Sequence, residues 1–241
     1  MTRNWAFVSL VALCFFVSGV VHSQGMHEST AFKVYEDLVV AVGNVHPRAP
    51  RLVLKNSKRN PASFNPFTKE ISLERKVLEI CHSFGPDSLS ALAYILGHEL
   101  AHSYCEHGWQ TKFAGLDFSN EVDQKLESIE QRVDDETEAD LKAGFYAHLA
   151  GYEALSVADE FLQRIYDDYD LPDSIPGYPK LNQRVEIINE NKARFEELKR
   201  LYDSAVHCFV LGQFDYATSL FDQIVDEGFT SREIYNNLGL C

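Results

Sequence analysis

The stretch Gly97-His98-Glu99-Leu100-Ala101-His102 constrains this chain more than any other. On a helix, positions i and i+4 lie one turn apart on one face, so His98 and His102 can hold one metal ion together. Glu99 then sits beside that ion, where a carboxylate can take a proton from an attacking water. One zinc ion is the expected occupant of such a pair. Three fixed positions also recur by chance, so the rest of the chain must supply a third ligand. A glycine and a histidine three and six residues after His102 would extend the motif, but Cys105 and Gly108 stand there. The other common solution is a carboxylate from a second helix.

Pro86-Asp87-Ser88 is a helix start signal, with Asp87 or Ser88 as N-cap. The motif helix is expected to run to about His107, with Leu89, Leu92, Leu96 and Leu100 as its apolar stripe. It is largely apolar up to Gly97, which predicts burial. Gly97 itself removes a side chain where another element or the metal site approaches closely. A long helical pattern then runs from about Glu121 to Leu149. Its seam passes through Val122, Leu126, Ile129 and Val133 and continues through Glu136, Asp140, Ala143 and Ala147. Two acids on a buried stripe need a charged partner or a metal, which singles out Glu136 and Asp140. Asp134, Asp135 and Glu138 fit a solvated acidic face instead.

Elsewhere, Ala31, Val34, Tyr35, Leu38, Val39 and Val42 give a helical period over 26–46, stopped by Gly43-Asn44. Leu52-Val53-Leu54 and Glu70-Ile71-Ser72-Leu73 read as short strands, and 75–81 as a short helix. Amphipathic helices follow at 154–166 and 181–190, separated by a turn-rich loop with Pro172, Pro176, Gly177 and Pro179. The expected class is α+β, helix-rich with a small sheet.

The first 23 residues combine Arg3, an uncharged apolar run over 5–21, and Val21-His22-Ser23 before a cleavage point. They read as a signal peptide, which places the mature chain in a secreted or periplasmic compartment; an uncleaved amino-terminal anchor is the alternative. After cleavage no stable membrane span is expected. A formal charge of −14 with no basic patch argues against nucleic acid as a partner. The cysteines match no zinc-ribbon or redox spacing, and buried free thiols are the reading preferred over a Cys81–Cys105 disulfide. His107 reads as a helix-end histidine, and His82, His148 and His207 as structural or exposed. The run from Tyr166 to Asp170 lacks calcium-loop spacing and reads as a solvated helix end.

Residues 191–241 have a different pattern. Leu201 and Tyr235 are 34 residues apart, as are Ala205 and Gly239, with Gly212, Phe214, Ala217 and Phe221 between them. This resembles a tetratricopeptide repeat, with Leu238-Gly239 at the start of a second one, the alternative being an ordinary terminal helical hairpin. A repeat region of this kind offers a surface for a protein partner.

Glu136-Thr137-Glu138-Ala139-Asp140 has the form ExxAD. With HExxH upstream, Asn65-Pro66-Phe67 leading to Ile71-Ser72-Leu73, His107, and Gly151-Tyr152 downstream, the chain resembles one zinc metallopeptidase family over roughly residues 30–190. That family includes HtpX, the mitochondrial Oma-type, the periplasmic BepA-type and the CAAX prenyl proteases. The resemblance implies a zincin-like metallopeptidase domain over 24–190 that hydrolyses peptide bonds of protein or peptide substrates. It makes Glu136, not Glu138, the third zinc ligand, with Asp140 supporting the site from behind. It also implies that the strand holding Ile71 and Ser72 is an edge strand that binds an extended peptide by β-augmentation. The family's His-Pro pair, followed five residues later by Arg, is here Tyr178-Pro179 with Arg184. Arg184 is then expected to pair with a site carboxylate. Tyr178 is a candidate hydrogen-bond donor to the developing oxyanion, with loop packing as the alternative. BepA-type members carry tetratricopeptide repeats after the protease domain, in keeping with 191–241. A repeat-containing binding or chaperone-like protein with a latent or structural zinc site is the other function considered.

Overall fold

Apolar periodicity at 3.6 residues dominates the chain, and helices form most of the structure. The computed structural model describes residues 28–43, 48–57, 60–105, 111–112, 125–173 and 180–241. The expected signal segment, His107 and Tyr178 lie outside the described residues. A first helix, α1, covers 28–42 and buries Ala31, Val34, Leu38 and Val42. Gly43 ends it at φ 78, and a Cβ there would lie 2.1 Å from Cβ of Arg232, so only glycine fits.

Three strands follow: β1 (Arg51–Lys55), β2 (Ala62–Asn65) and β3 (Glu70–Glu74). A two-residue β4 (Thr111–Lys112) completes the sheet in the order β1-β3-β2-β4. β3 pairs parallel with β1 and antiparallel with β2. It is therefore an internal strand, and the expectation of an edge strand at Ile71 and Ser72 is overturned. Its backbone groups are spent on two neighbours, and Ile71 is fully buried with Ser72 nearly so. Neither residue can add a peptide strand. The run Ile71 to Glu74 is buried throughout, as expected where both sheet faces are covered.

Next come α2 (Arg75–His82) and, after a 3-10 turn at Gly85–Asp87, α3 (Ser88–Tyr104). Every residue of α3 from Ala91 to Tyr104 is buried. Leu89, expected on the apolar stripe, is exposed because the first turn projects past the core. Helix α3 packs against α4 (Lys125–Leu149), β2, α2 and the 3-10 turn Ala154–Ser156. A Cβ on Gly97 would meet the Ala143 carbonyl oxygen at 3.2 Å and its Cα at 3.3 Å, so the close approach anticipated at Gly97 is made by α4.

Helix α5 (Ala158–Tyr169) ends at Asp170 in the left-handed region. Helix α6 (Leu181–Val210) is continuous, so a boundary between 190 and 191 falls inside a helix. Its buried residues Arg184, Ile188, Phe195, Leu198 and Ala205 lie on one face. After a turn at Gly212, φ 72, α7 (Phe214–Asp226) folds back along α6, and α8 (Arg232–Leu240) follows. Phe145 of α4 makes edge contacts with Tyr202 and Phe229, which joins this hairpin to the same core. Among the described residues, no helix is long and apolar enough to cross a membrane. Cys81, Cys105, Cys208 and Cys241 are free thiols.

Candidate metal centre

The one-turn spacing on α3 stacks His98 over His102, with their Nε2 atoms 3.0 Å apart. The seam of α4 brings Glu136 opposite them. Its Oε2 lies 3.4 Å from His98 Nε2, and its Oε1 lies 3.4 Å from His102 Nε2. All three residues are buried, and their ligand atoms lie within 4.8 Å of one another. This group could hold a metal ion. Glu136 is the α4 acid involved, while Glu138 turns away toward Lys142 at 2.7 Å. Of the three acids expected on a solvated face, Asp134 and Glu138 are exposed, but Asp135 is buried. Adjacent positions on a helix differ by about 100°, so α4 is covered on more than its seam at this level.

Behind the histidines stands Asp140, one turn along α4 from Glu136. Its Oδ1 lies 2.8 Å from His98 Nδ1. A carboxylate accepts only, so His98 Nδ1 carries a proton, and it is Nε2 that offers a lone pair for a ligand bond once the ring is neutral. Arg184 of α6 donates from Nη2 to both Asp140 oxygens, at 2.9 and 3.1 Å, and lies 3.8 Å from Glu136 Oε2. Tyr94 donates to Asp140 Oδ1 at 2.7 Å. The sequence did not single out Tyr94. Its only signal was a hydroxyl one turn before His98 in an otherwise apolar stretch.

Glu99 is fully buried and lies near the Phe64 backbone, which favours its charged form, but neither carboxylate oxygen makes a hydrogen bond of normal geometry among the described residues. Burial pushes its pKa up to about 8, with Glu136 adding to the rise and the His98 charge opposing it. For His98, burial pulls downward, but Asp140 and Glu136 outweigh it and raise the pKa to about 9. For Glu136, burial pushes upward, yet His102 and His98 hold it well below the usual carboxylate range. Asp140 is also held low, by Arg184 and His98 against its burial. Three buried carboxylates, Glu99, Glu136 and Asp140, thus face one buried guanidinium, Arg184. Near neutral pH the metal-free cluster keeps protons on Glu99 and His98, so His98 and Arg184 balance Glu136 and Asp140; one divalent cation can replace those two protons at the same net charge. The unpartnered Glu99 oxygens and the donor set of two imidazoles and a carboxylate therefore fit a metal.

The structure thus gathers His98, His102, Glu99, Glu136, Asp140 and Arg184 into one buried cluster, and leaves Ile71 and Ser72 in the sheet interior. Comparison with protein-family models, with curated proteins and with solved structures returns no match for this chain.

Proposed function

We propose that the chain is a zinc-dependent metalloendopeptidase whose zincin-like domain holds one zinc ion on His98, His102 and Glu136 and is followed by the start of a tetratricopeptide-like segment. The observation that carries this reading is the convergence of those three donors beside the unpartnered carboxylate of Glu99. Donors around a tetrahedral zinc with bonds of about 2.0–2.1 Å are about 3.3 Å apart. The separations of 3.0 and 3.4 Å found here agree with that spacing. The combined HExxH and ExxAD resemblance supports the same reading and points to peptide bonds as substrate.

Bound zinc supplies polarisation of the scissile carbonyl and a lower pKa for the attacking water. Glu99 takes the proton from that water and passes it to the leaving amine. Asp140 fixes the His98 tautomer, and Arg184 balances Asp140 and Glu136. Tyr178 remains the proposed donor to the oxyanion. Unfolded proteins, or envelope and secreted proteins, are the proposed substrates, with the helical segment as the proposed partner surface. In purified protein, Glu99→Gln is expected to keep its zinc while cleavage of an unfolded protein falls by roughly 10²- to 10⁴-fold. Wild-type cleavage rates in that variant would refute the assignment.

One observation favours a second reading. His98, Glu99 and His102 are completely inaccessible, as suits a structural zinc in a binding or chaperone-like protein. That reading predicts zinc binding, a melting temperature that falls on chelation, and no cleavage by the wild-type protein.

A further inference from the structure

We infer that Tyr94 is a positioning residue that pins the register between the two metal-bearing helices; this rests on the metal reading above. Tyr94 and His98 are four residues apart, so they project from successive turns of one face of α3. Both reach the same atom, Oδ1 of Asp140 on α4, at 2.7 and 2.8 Å. Asp140 is one turn from Glu136 on its own helix. Two donors from α3 on one α4 oxygen fix how far α4 slides and rotates against α3. That in turn fixes where Glu136 meets His98 and His102.

A further side-chain bond between α3 and α4, from Lys142 Nζ to Cys105 Sγ at 3.1 Å, lies past the last residue of α3, so at the Asp140 level the task falls to Tyr94 and His98. Arg184 grips both Asp140 oxygens from α6, so it sets the carboxylate plane without tying α3 to α4. The Gly97–Ala143 approach sets the distance between the helices, but no directional bond restrains sliding there. Tyr94 is fully buried, with its ring edge-on to Phe161 at 6.0 Å, so packing already orders the side chain and the hydroxyl has a single direction to point. With the hydroxyl removed, Arg184 still holds the Asp140 carboxylate, but α4 loses one of its two α3 donors on Oδ1 and can shift along α3. His98 Nδ1 then meets its acceptor in poorer geometry, and the preference of the ring for presenting Nε2 weakens.

The test is Tyr94→Phe, which keeps the ring and removes only the donor. Zinc affinity is measured by chelator competition on the full chain, beside Phe145→Leu, a packing change on α4 at a position away from the polar cluster. The expected result is a roughly 10- to 100-fold loss of zinc affinity for Tyr94→Phe and wild-type affinity for Phe145→Leu, even where the two melt at the same temperature. Nitrogen NMR of the metal-free His98 ring, recorded above about pH 9 where the ring is neutral, gives a second readout: a single Nδ1–H tautomer in wild type and a mixture in Tyr94→Phe. Undiminished affinity in Tyr94→Phe, or an unchanged ring tautomer, overturns the inference. Should wild type take up no zinc, the metal reading falls, and the ring tautomer still decides the role of Tyr94.

Discussion

The interface between α3 and α4 and the hairpin of α6 and α7 are both sealed from water, by opposite means. Between α3 and α4 the buried groups include Tyr94, His98, Glu99, His102, Glu136 and Asp140, with Arg184 reaching in from α6. Between α6 and α7 the buried groups are Ala205, Ala217, Phe221 and Ile224. In the hairpin, stabilisation scales with apolar area, about 25 cal/mol per Å², and a neighbour of similar size is nearly as good. In the buried polar cluster each charge is tolerated only through a particular partner, so the loss of one partner strands another. The first kind of interior tolerates substitution, and the second specifies an arrangement.

Arg184→Met is the sharpest way to break this contrast. It strands Asp140 and Glu136 and is expected to cost about 3–5 kcal/mol, measured by urea unfolding. A loss below about 1 kcal/mol would mean that water already reaches the cluster.

The pH response separates the two regions next. In the metal-free protein His98 is raised to about 9 from 6.5. A raised pKa contributes stability that is present in full below about 6.5 and is lost as pH rises through about 9. Glu99, raised to about 8, acts with the same sign. Metal binding needs the neutral imidazole, so zinc affinity moves the opposite way. It rises by up to about tenfold per pH unit, about 1.4 kcal/mol, until it levels off above the His98 value. Calorimetric zinc titrations at several pH values should show this slope. A flat profile would show that His98 carries no proton to displace.

The smallest effect belongs to the hairpin. Ile224→Val removes one buried methylene and is expected to cost about 0.5–1.5 kcal/mol. The loss should be equal on both sides of neutral pH, with zinc affinity untouched. A change in zinc affinity would show that the two regions are mechanically coupled through α6.

Much of the centre was legible because its chemistry obeys helical spacing. His98 and His102 share a face, and Glu136 and Asp140 stood out as acids on an apolar seam; the helix that carries both acids is unbroken from Lys125 to Leu149. The glycine at 97 marked the approach of α4 before α4 had a place. Three things were not legible, each for a physical reason. Sheet order depends on long-range pairing, so nothing local revealed that β3 lies between β1 and β2. Asp135 looked solvated because periodicity reports one face of a helix and not how many neighbours cover it. Tyr94 did not stand out, since an aromatic ring satisfies an apolar pattern whether or not its hydroxyl has work to do. Arg184 lies on the buried face of α6 with Ile188, Phe195 and Leu198, the same signature of a charge on a seam that exposed Glu136.

The central claim is that His98, His102 and Glu136 together hold a metal ion. Zinc content after equilibrium dialysis tests it most directly, in wild type, Glu136→Gln and Glu138→Gln. The account predicts about one zinc per chain in wild type and in Glu138→Gln, and a nearly metal-free Glu136→Gln that keeps its helical signal. A zinc-free wild type, or a Glu136→Gln chain that holds zinc as tightly as wild type, would contradict it.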